Sequence, residues 1–144
     1  METASRDPGA IQFPTGRVTL GELRGILKRL PVDLTFADTE GVVQFYSDGP
    51  RRTFPRTPAV IGRNVESCHS PDSVDMVRRI LGAFKSGSQD EASFWLHLKE
   101  RFILVQFHAI RGETGDYLGC LEISQDVTGI RSLEGERRLL SWDE

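Results

Sequence analysis

Two adjacent residues have the types and position that metal or redox chemistry would need. Cys68 and His69 stand immediately before Ser70-Pro71, a helix-start signal. The positive end of a helix dipole favours a thiolate and disfavours an imidazolium. A thiolate beside a neutral imidazole can ligate a metal or haem iron, so the pair is a candidate for either. The plainer reading makes His69 a turn residue, because two ligands alone are a weak metal signature. His97 and His108 are the other histidines. Strand alternation sets His108 opposite Cys120, which could be a metal or redox pair but is more simply a routine cross-strand neighbour.

Few other chemistries find support. The chain has 144 residues, 38% hydrophobic and 27% charged, with a formal net charge of −3, an ordinary balance for one soluble domain. No basic block is present, which disfavours nucleic acid and anionic membrane surfaces as partners. No apolar run reaches the roughly 18 residues of a membrane span. The first 16 residues lack the apolar core of a secretory signal, and two cysteines cannot form a disulfide framework, so a cytoplasmic setting is expected. G-x-x-x-x-G-K, G-x-S-x-G and H-E-x-x-H are all missing, and no constellation supports catalysis. Arg51-Arg52 and Arg137-Arg138 read as solvated charges, Phe54 and Phe84 as core.

The elements follow from punctuation and periodicity. Residues 1–17 are polar and broken by Pro and Gly, which predicts a mobile segment. Thr19 and Glu22 form a capping box ahead of Leu20, Leu23, Leu27 and Leu30, an apolar stripe on a helix within 18–30 that Pro31 ends. Val32–Ala37 and Val42–Tyr46 read as a hairpin around Asp38–Gly41. Thr57-Pro58 starts a short helix. Ser70-Pro71 starts a longer one to about Lys85, with Val74, Val77, Leu81 and Phe84 on one face. Strands follow at about 92–98, 102–111 and 117–125. With Leu98 opposite Arg101, and Arg111 opposite Tyr117, one register joins Phe94, Leu96, Ile103, Val105, Phe107, Leu121 and Ile123 on a single apolar face. The other face is mixed: Trp95, His97, Phe102, Leu104, Gln106, His108, Cys120, Glu122 and Ser124. Its apolar patch needs a cover, which the striped N-terminal helix could supply from the same chain or a second one. Residues 129–144 carry Ile130, Leu133, Arg137 and Leu140 at heptad spacing, a predicted exit helix weakened by Gly135.

Three motifs in this order resemble the PAS domain. Val60-Ile61-Gly62-Arg63-Asn64-Val65 is similar to its "IGR" turn, and His69-Ser70-Pro71-Asp72 to its "HPDD" element. Gly119 through Asp126-Val127-Thr128 is similar to its closing strand with the terminal "DIT". The motifs lie between Val60 and Thr128, and the resemblance is read over residues 32–128. Phe54–Arg63 followed by Cys68-His69 looks closer still to the C-terminal PAS domain of bacterial and archaeal hemerythrin-like (HHE) proteins, whose helical bundle this chain has no room for. Gly62-Arg63-Asn64 also resembles the flavin-binding LOV type. Val65 stands where the adduct-forming cysteine would be, which argues against LOV photochemistry.

The resemblance implies an α+β PAS fold over 31–128: a five-stranded antiparallel sheet with helices on one face, an N-terminal capping helix and a C-terminal exit helix. It implies a freestanding, non-catalytic sensory module of signal transduction. A small-molecule pocket is expected between the sheet face of Phe94, Leu96, Ile103, Val105, Leu121 and Ile123 and the helix face of Val74, Val77 and Leu81. Haem at His69, possibly with Cys68, is the alternative occupant. Asp126 and Thr128 are expected to couple the pocket to the exit helix. A homodimer through the N-terminal helix and outer sheet face is the expected assembly. A ligand-free dimerisation module is the third reading.

Overall fold

In the computed structural model, which describes residues 9–50 and 52–142, the first helix begins where its cap requires. The Thr19 hydroxyl accepts from the Glu22 N–H at 3.0 Å, and the Glu22 carboxylate accepts from the Thr19 N–H at 2.9 Å. This capping box opens α1, Leu20–Arg29. The residues ahead of it depart from expectation. Within the segment read as mobile, β1 (Ile11–Phe13) and β2 (Gly16–Val18) pair as an antiparallel hairpin. Three-residue strands are too short for alternation to reveal, and Gly16, at φ +140°, takes a conformation that glycine adopts freely.

The main sheet has five antiparallel strands in the order β4-β3-β7-β6-β5. They are β3 (Asp33–Ala37), β4 (Val43–Tyr46), β5 (Glu91–Leu98), β6 (Arg101–Arg111) and β7 (Tyr117–Asp126). The β3–β4 turn is built on Asp38, whose Oδ1 accepts from the Glu40 and Val42 N–H groups at 2.9 and 3.0 Å. The Val42 N–H, acting first, and the Glu40 N–H and Gln44 amide hold the Asp38 carboxyl below its ordinary range.

The β5–β6 register is the expected one, with Phe94 opposite Val105 and Leu96 opposite Ile103. The β6–β7 register is not. Arg111 does face Tyr117, but Ile110 then faces Gly119, leaving Leu118 as an extra residue. From that bulge onward Phe107 faces Glu122 and Val105 faces Ser124. A one-residue slip turns every side chain over. Cys120, Glu122 and Ser124 therefore share the face of Val105 and Phe107. Leu121 and Ile123, expected in the pocket, lie on the opposite face, across from Phe36 and Leu34. Cys120 faces Ala109, so the expected His108–Cys120 pair is not formed. The cause is steric. Gly119 has φ +148°, and a Cβ there would sit 2.2 Å from the Ala37 carbonyl oxygen and 2.8 Å from the Phe36 ring.

The long helix α2, Pro71–Ser86, lies over the inner face of β7 and ends at Gly87 in the left-handed conformation, φ +85°. Val77 and Phe84 are its buried residues; Phe84, Ile103 and Val43 are the largest fully buried side chains. Arg111 ties the helix end to the sheet by donating to Phe84 O at 2.7 Å and to Asp90 at 2.9 Å.

The exit helix is shorter than the heptad pattern suggested. Among the described residues of the tail only α3, Thr128–Arg131, is helical, and Leu133, Leu139, Leu140 and Trp142 are exposed. Gly135 sits at φ +65°, and an apolar stripe with nothing to cover does not hold a helix on its own. The stripe of α1 fares similarly. None of its ten residues is buried, and Leu20 and Ile26 are exposed.

Candidate functional site

The turn after the second irregular segment places His69. The Gly62 N–H donates to Val43 O, and the Val43 N–H to Arg63 O, each at 2.8 Å, so residues 62–63 add to the edge of β4. Gly62 takes φ +90° to do so. Asn64 then spans two elements. Its amide donates to Glu40 O at 3.2 Å, and its Oδ1 accepts from the Glu66 N–H at 3.0 Å. That caps a 3-10 turn, Val65–Cys68, which Arg78 of α2 grips through Glu66 at 2.9 Å. The "IGR" motif is thus a bracket between the β3–β4 hairpin and α2, and His69 hangs from its end.

His69 lines a cavity of about 30 Å³ with Thr35, Ala37, Val65, Val77, Ile80, Leu81, Phe107, Cys120 and Glu122. Of the expected pocket residues, Val77, Leu81 and His69 are here. Phe94, Leu96, Ile103, Val105 and Val74 share the inner side but lie off the cavity: Phe94 packs edge-on against Phe107, while Ile103 and Val105 are core. Leu121 and Ile123 are on the wrong face. Alternation alone puts Cys120 and Glu122 on the other face, because it runs the β6–β7 register through Gly119 without a bulge, and it does not pair β3, which carries Thr35, with β7; a lone glycine inside a strand is the available signal. A wider polar groove, about 220 Å³, lies beside Asn64, Glu66, Arg78 and Lys85, open at the surface and bordered by the Glu66–Arg78 ion pair.

The inner face around the cavity is more polar than expected. Asp33, Thr35 and Ser124 are buried, and Glu122 beside them is half-buried. Asp33 is fully engaged: it accepts from the Thr53 N–H and lies 4.0 Å from Arg52. Arg52, expected to be solvated, is instead nearly buried, donating to Ser47 O and to Phe54 O and lying over the Tyr46 ring. A buried carboxylate needs such a partner, which composition alone does not show. Arg51 lies outside the described residues. Burial, and secondarily the Glu122 carboxylate, push the Cys120 thiol up to about 12, so it is a protonated thiol and not a nucleophile.

The Cys68–His69 pair does not converge. His69 Nδ1 lies 2.9 Å from Val65 O, so the Nδ1–H donates there. Cys68 is exposed, with its sulfur 3.8 Å from Asn64 O, and does not line the cavity. Among the described residues, no three His, Cys, Asp or Glu side chains are grouped to hold a metal ion. Haem does not fit either: the cavity is about a tenth of the lower end of the ~300–1,000 Å³ that ligands of cofactor size occupy.

At the far end of β7 the strand passes into α3 through a small polar cluster. The Thr128 hydroxyl donates to Asp126 Oδ1 at 2.6 Å and accepts from the Phe102 N–H at 2.8 Å. The Thr128 N–H also donates to Asp126, at 3.0 Å. Arg131 of α3 lies over the Phe102 ring at 3.9 Å. The Thr128 hydroxyl first, then its N–H, hold the Asp126 carboxyl below the usual range. Asp126 and Thr128 thus join β6, β7 and α3.

Comparison with known proteins agrees with this geometry. A family model described as PAS domain matches residues 23–128. The C-terminal domain of a Streptococcus mutans protein is 31% identical, with a TM-score of 0.81 over 87% of this chain and 97% of that one. The PAS domain of Bordetella pertussis BvgS, 19% identical, superposes at 0.57 over 76% of this chain and 86% of its own. A sensory box sensor histidine kinase of Vibrio cholerae, 16% identical, superposes at 0.53 over 74% and 90%. Comparison with curated proteins gives no match. No helix among the described residues is long and apolar enough to cross a membrane. With the five-stranded sheet, the bracket at Ile61–Asn64 and the Asp126–Thr128 joint all in place, the chain belongs to the PAS domain family.

Proposed function

We propose that this chain is a non-catalytic sensory module of signal transduction that binds a small molecule in the inner-face cavity. The observation that carries the reading is the course of β7. Cys120 and Glu122 line the cavity, and the same strand ends at Asp126, where α3 is held. Four residue steps, roughly 13 Å of strand, lead from Glu122 to Asp126. A ligand that prefers one spacing of sheet and α2 biases β7, and with it the Asp126–Thr128–Phe102 bonds. The likeness in fold to a sensor histidine kinase region and to the PAS domain of BvgS supports a signalling role.

The test is a thermal-shift screen of small metabolites followed by amide NMR. Binding compounds should move the amides of Thr35, Cys120 and Glu122 together with those of Phe102 and Thr128. Compounds that move only surface amides contradict the reading.

A second reading concerns assembly and rests on the uncovered apolar surface. Leu20 and Ile26 of α1 and Trp95 of the outer sheet face are exposed, Trp95 by 66%. We propose that a second copy covers them, with α1 of each chain against the partner's outer face. Sedimentation should show a dimer that Leu20→Asp with Ile26→Asp converts to a folded monomer. A monomeric wild type at high micromolar concentration overturns it.

A further inference from the structure

The groove beside the β3–β4 turn differs from the inner-face cavity in size and in chemistry. Its volume is about 220 Å³, and Leu81 is the one residue that lines both. The turn Thr39–Gly41 faces the later half of α2 across it, and Asn64, Glu66 and Tyr117 complete the lining. Four charged side chains border the groove, two of each sign, so it is neutral as a whole. Glu66 and Arg78 close on each other at 2.9 Å, and Asp75 stands 3.8 Å from Arg78. Glu40 and Lys85 do not close. Among the described residues neither side chain has a hydrogen bond or an ion pair, although both border the same space. Arg78 and Lys85 are seven residues apart on one side of α2, about 10 Å along its axis, so the closed pair and the open one are separate.

Glycine keeps the space between Glu40 and Lys85 open. Gly82 lies inside α2, where glycine weakens a helix, and a Cβ there would meet nothing within 4 Å. Tyr117 adds a polar group. Arg111 stands over its ring at 5.8 Å, and its hydroxyl has no hydrogen bond among the described residues. Burial first, then Cys120, pushes the Tyr117 phenol up, so the hydroxyl keeps its proton and can donate. A simple anion drawn to Lys85 also meets Glu40 and Glu66; a simple cation drawn to Glu40 also meets Lys85 and Arg78. A molecule that carries both charges meets neither penalty. A single ion pair in an open groove contributes little, whereas two made by one molecule share one loss of freedom. We propose that this groove binds a small zwitterion, an amino acid or a dipeptide, with its ammonium on Glu40 and its carboxylate on Lys85 and the Tyr117 hydroxyl. The site stands apart from the inner-face cavity and does not depend on that cavity holding a ligand.

The test uses the full chain, 15N-labelled, titrated at millimolar concentration with L-alanine and glycylglycine, and with propionate and n-propylamine as counterparts of one charge each. At least one zwitterion should shift the amides of Gly41, Gly82, Lys85 and Tyr117 and bind about tenfold or more tightly than either counterpart, as two charge-assisted contacts predict. Glu40→Gln and Lys85→Met should each remove that preference. Gly82→Leu places a side chain in the groove and replaces a glycine inside a helix, so it should abolish binding while thermal melts show it at least as stable as the wild type. Propionate or propylamine binding as tightly as the zwitterions overturns the zwitterion class. So does an affinity that neither charge substitution changes. Undiminished binding to folded Gly82→Leu, shifts confined to Thr35, Cys120 and Glu122, or no shift with any of the four probes overturns the groove as the site. None of these results bears on ligand binding in the inner-face cavity, save shifts at Thr35, Cys120 and Glu122, which favour it.

Discussion

The two ends of β7 are fixed by opposite means. At the Gly119 end the strand is set by sterics, since no side chain fits between it and β3. At the Asp126 end it is held by three short polar bonds among exposed groups. The first determines register and tolerates nothing. The second is local and exposed, the kind of structure that opens at low cost. One strand can thus carry a rigid site and a movable output, because what fixes the cavity lining is not what fixes the exit.

This contrast sets the order of expected effects. Gly119→Ala should be the most damaging single change, because both its backbone conformation and its space are denied; a loss of roughly 3 kcal/mol or more, or failure to fold, is expected in denaturant titration. A mild effect there would mean that β7 can shift register. Next comes thiol access. Cys68 should react with Ellman's reagent in the native state, while Cys120, its thiol raised to about 12 by burial and Glu122, should react slower by on the order of a hundredfold, through opening alone. Rapid modification of both cysteines would put Cys120 on the open face and undo the register. Thr128→Val should cost about 1 kcal/mol and speed amide exchange at Phe102, whose acceptor it removes, without disturbing Cys120.

Asp126→Asn should have the smallest effect at neutral pH and a clear signature in acid. The native carboxyl is depressed, so its contribution is present above about pH 4 and lost as pH falls through the native value. The variant should show a weaker dependence of stability on pH below 4 than the wild type.

Much of this was legible in the residues. Thr19 and Glu22, Ser70-Pro71, Gly87 and the β5–β6 alternation each specify local structure, and the structure follows them. The "IGR" and "HPDD" likenesses led to a bracket that the Asn64 hydrogen bonds account for. Three things were hidden. The bulge at Gly119 depends on how close Ala37 and Phe36 come, a tertiary fact, and it exchanged Leu121 and Ile123 for Cys120 and Glu122. The burial of Arg52 depends on Asp33, nineteen positions earlier in the chain. The heptad after Thr128 has the periodicity of a helix, but among the described residues its apolar side chains Leu133, Leu139 and Leu140 stay exposed.

The central claim is that occupancy of the cavity is felt at Asp126–Thr128 through β7. Val77→Ile tests it without any ligand, since Val77 lines the cavity and the added methylene serves as a built-in occupant. Amide exchange and chemical shifts would be compared between this variant and the wild type. The account predicts changes at Thr35, Cys120 and Glu122 that continue to the amides of Phe102 and Thr128. Changes confined to the residues around Val77, with Phe102 and Thr128 unmoved, would contradict it.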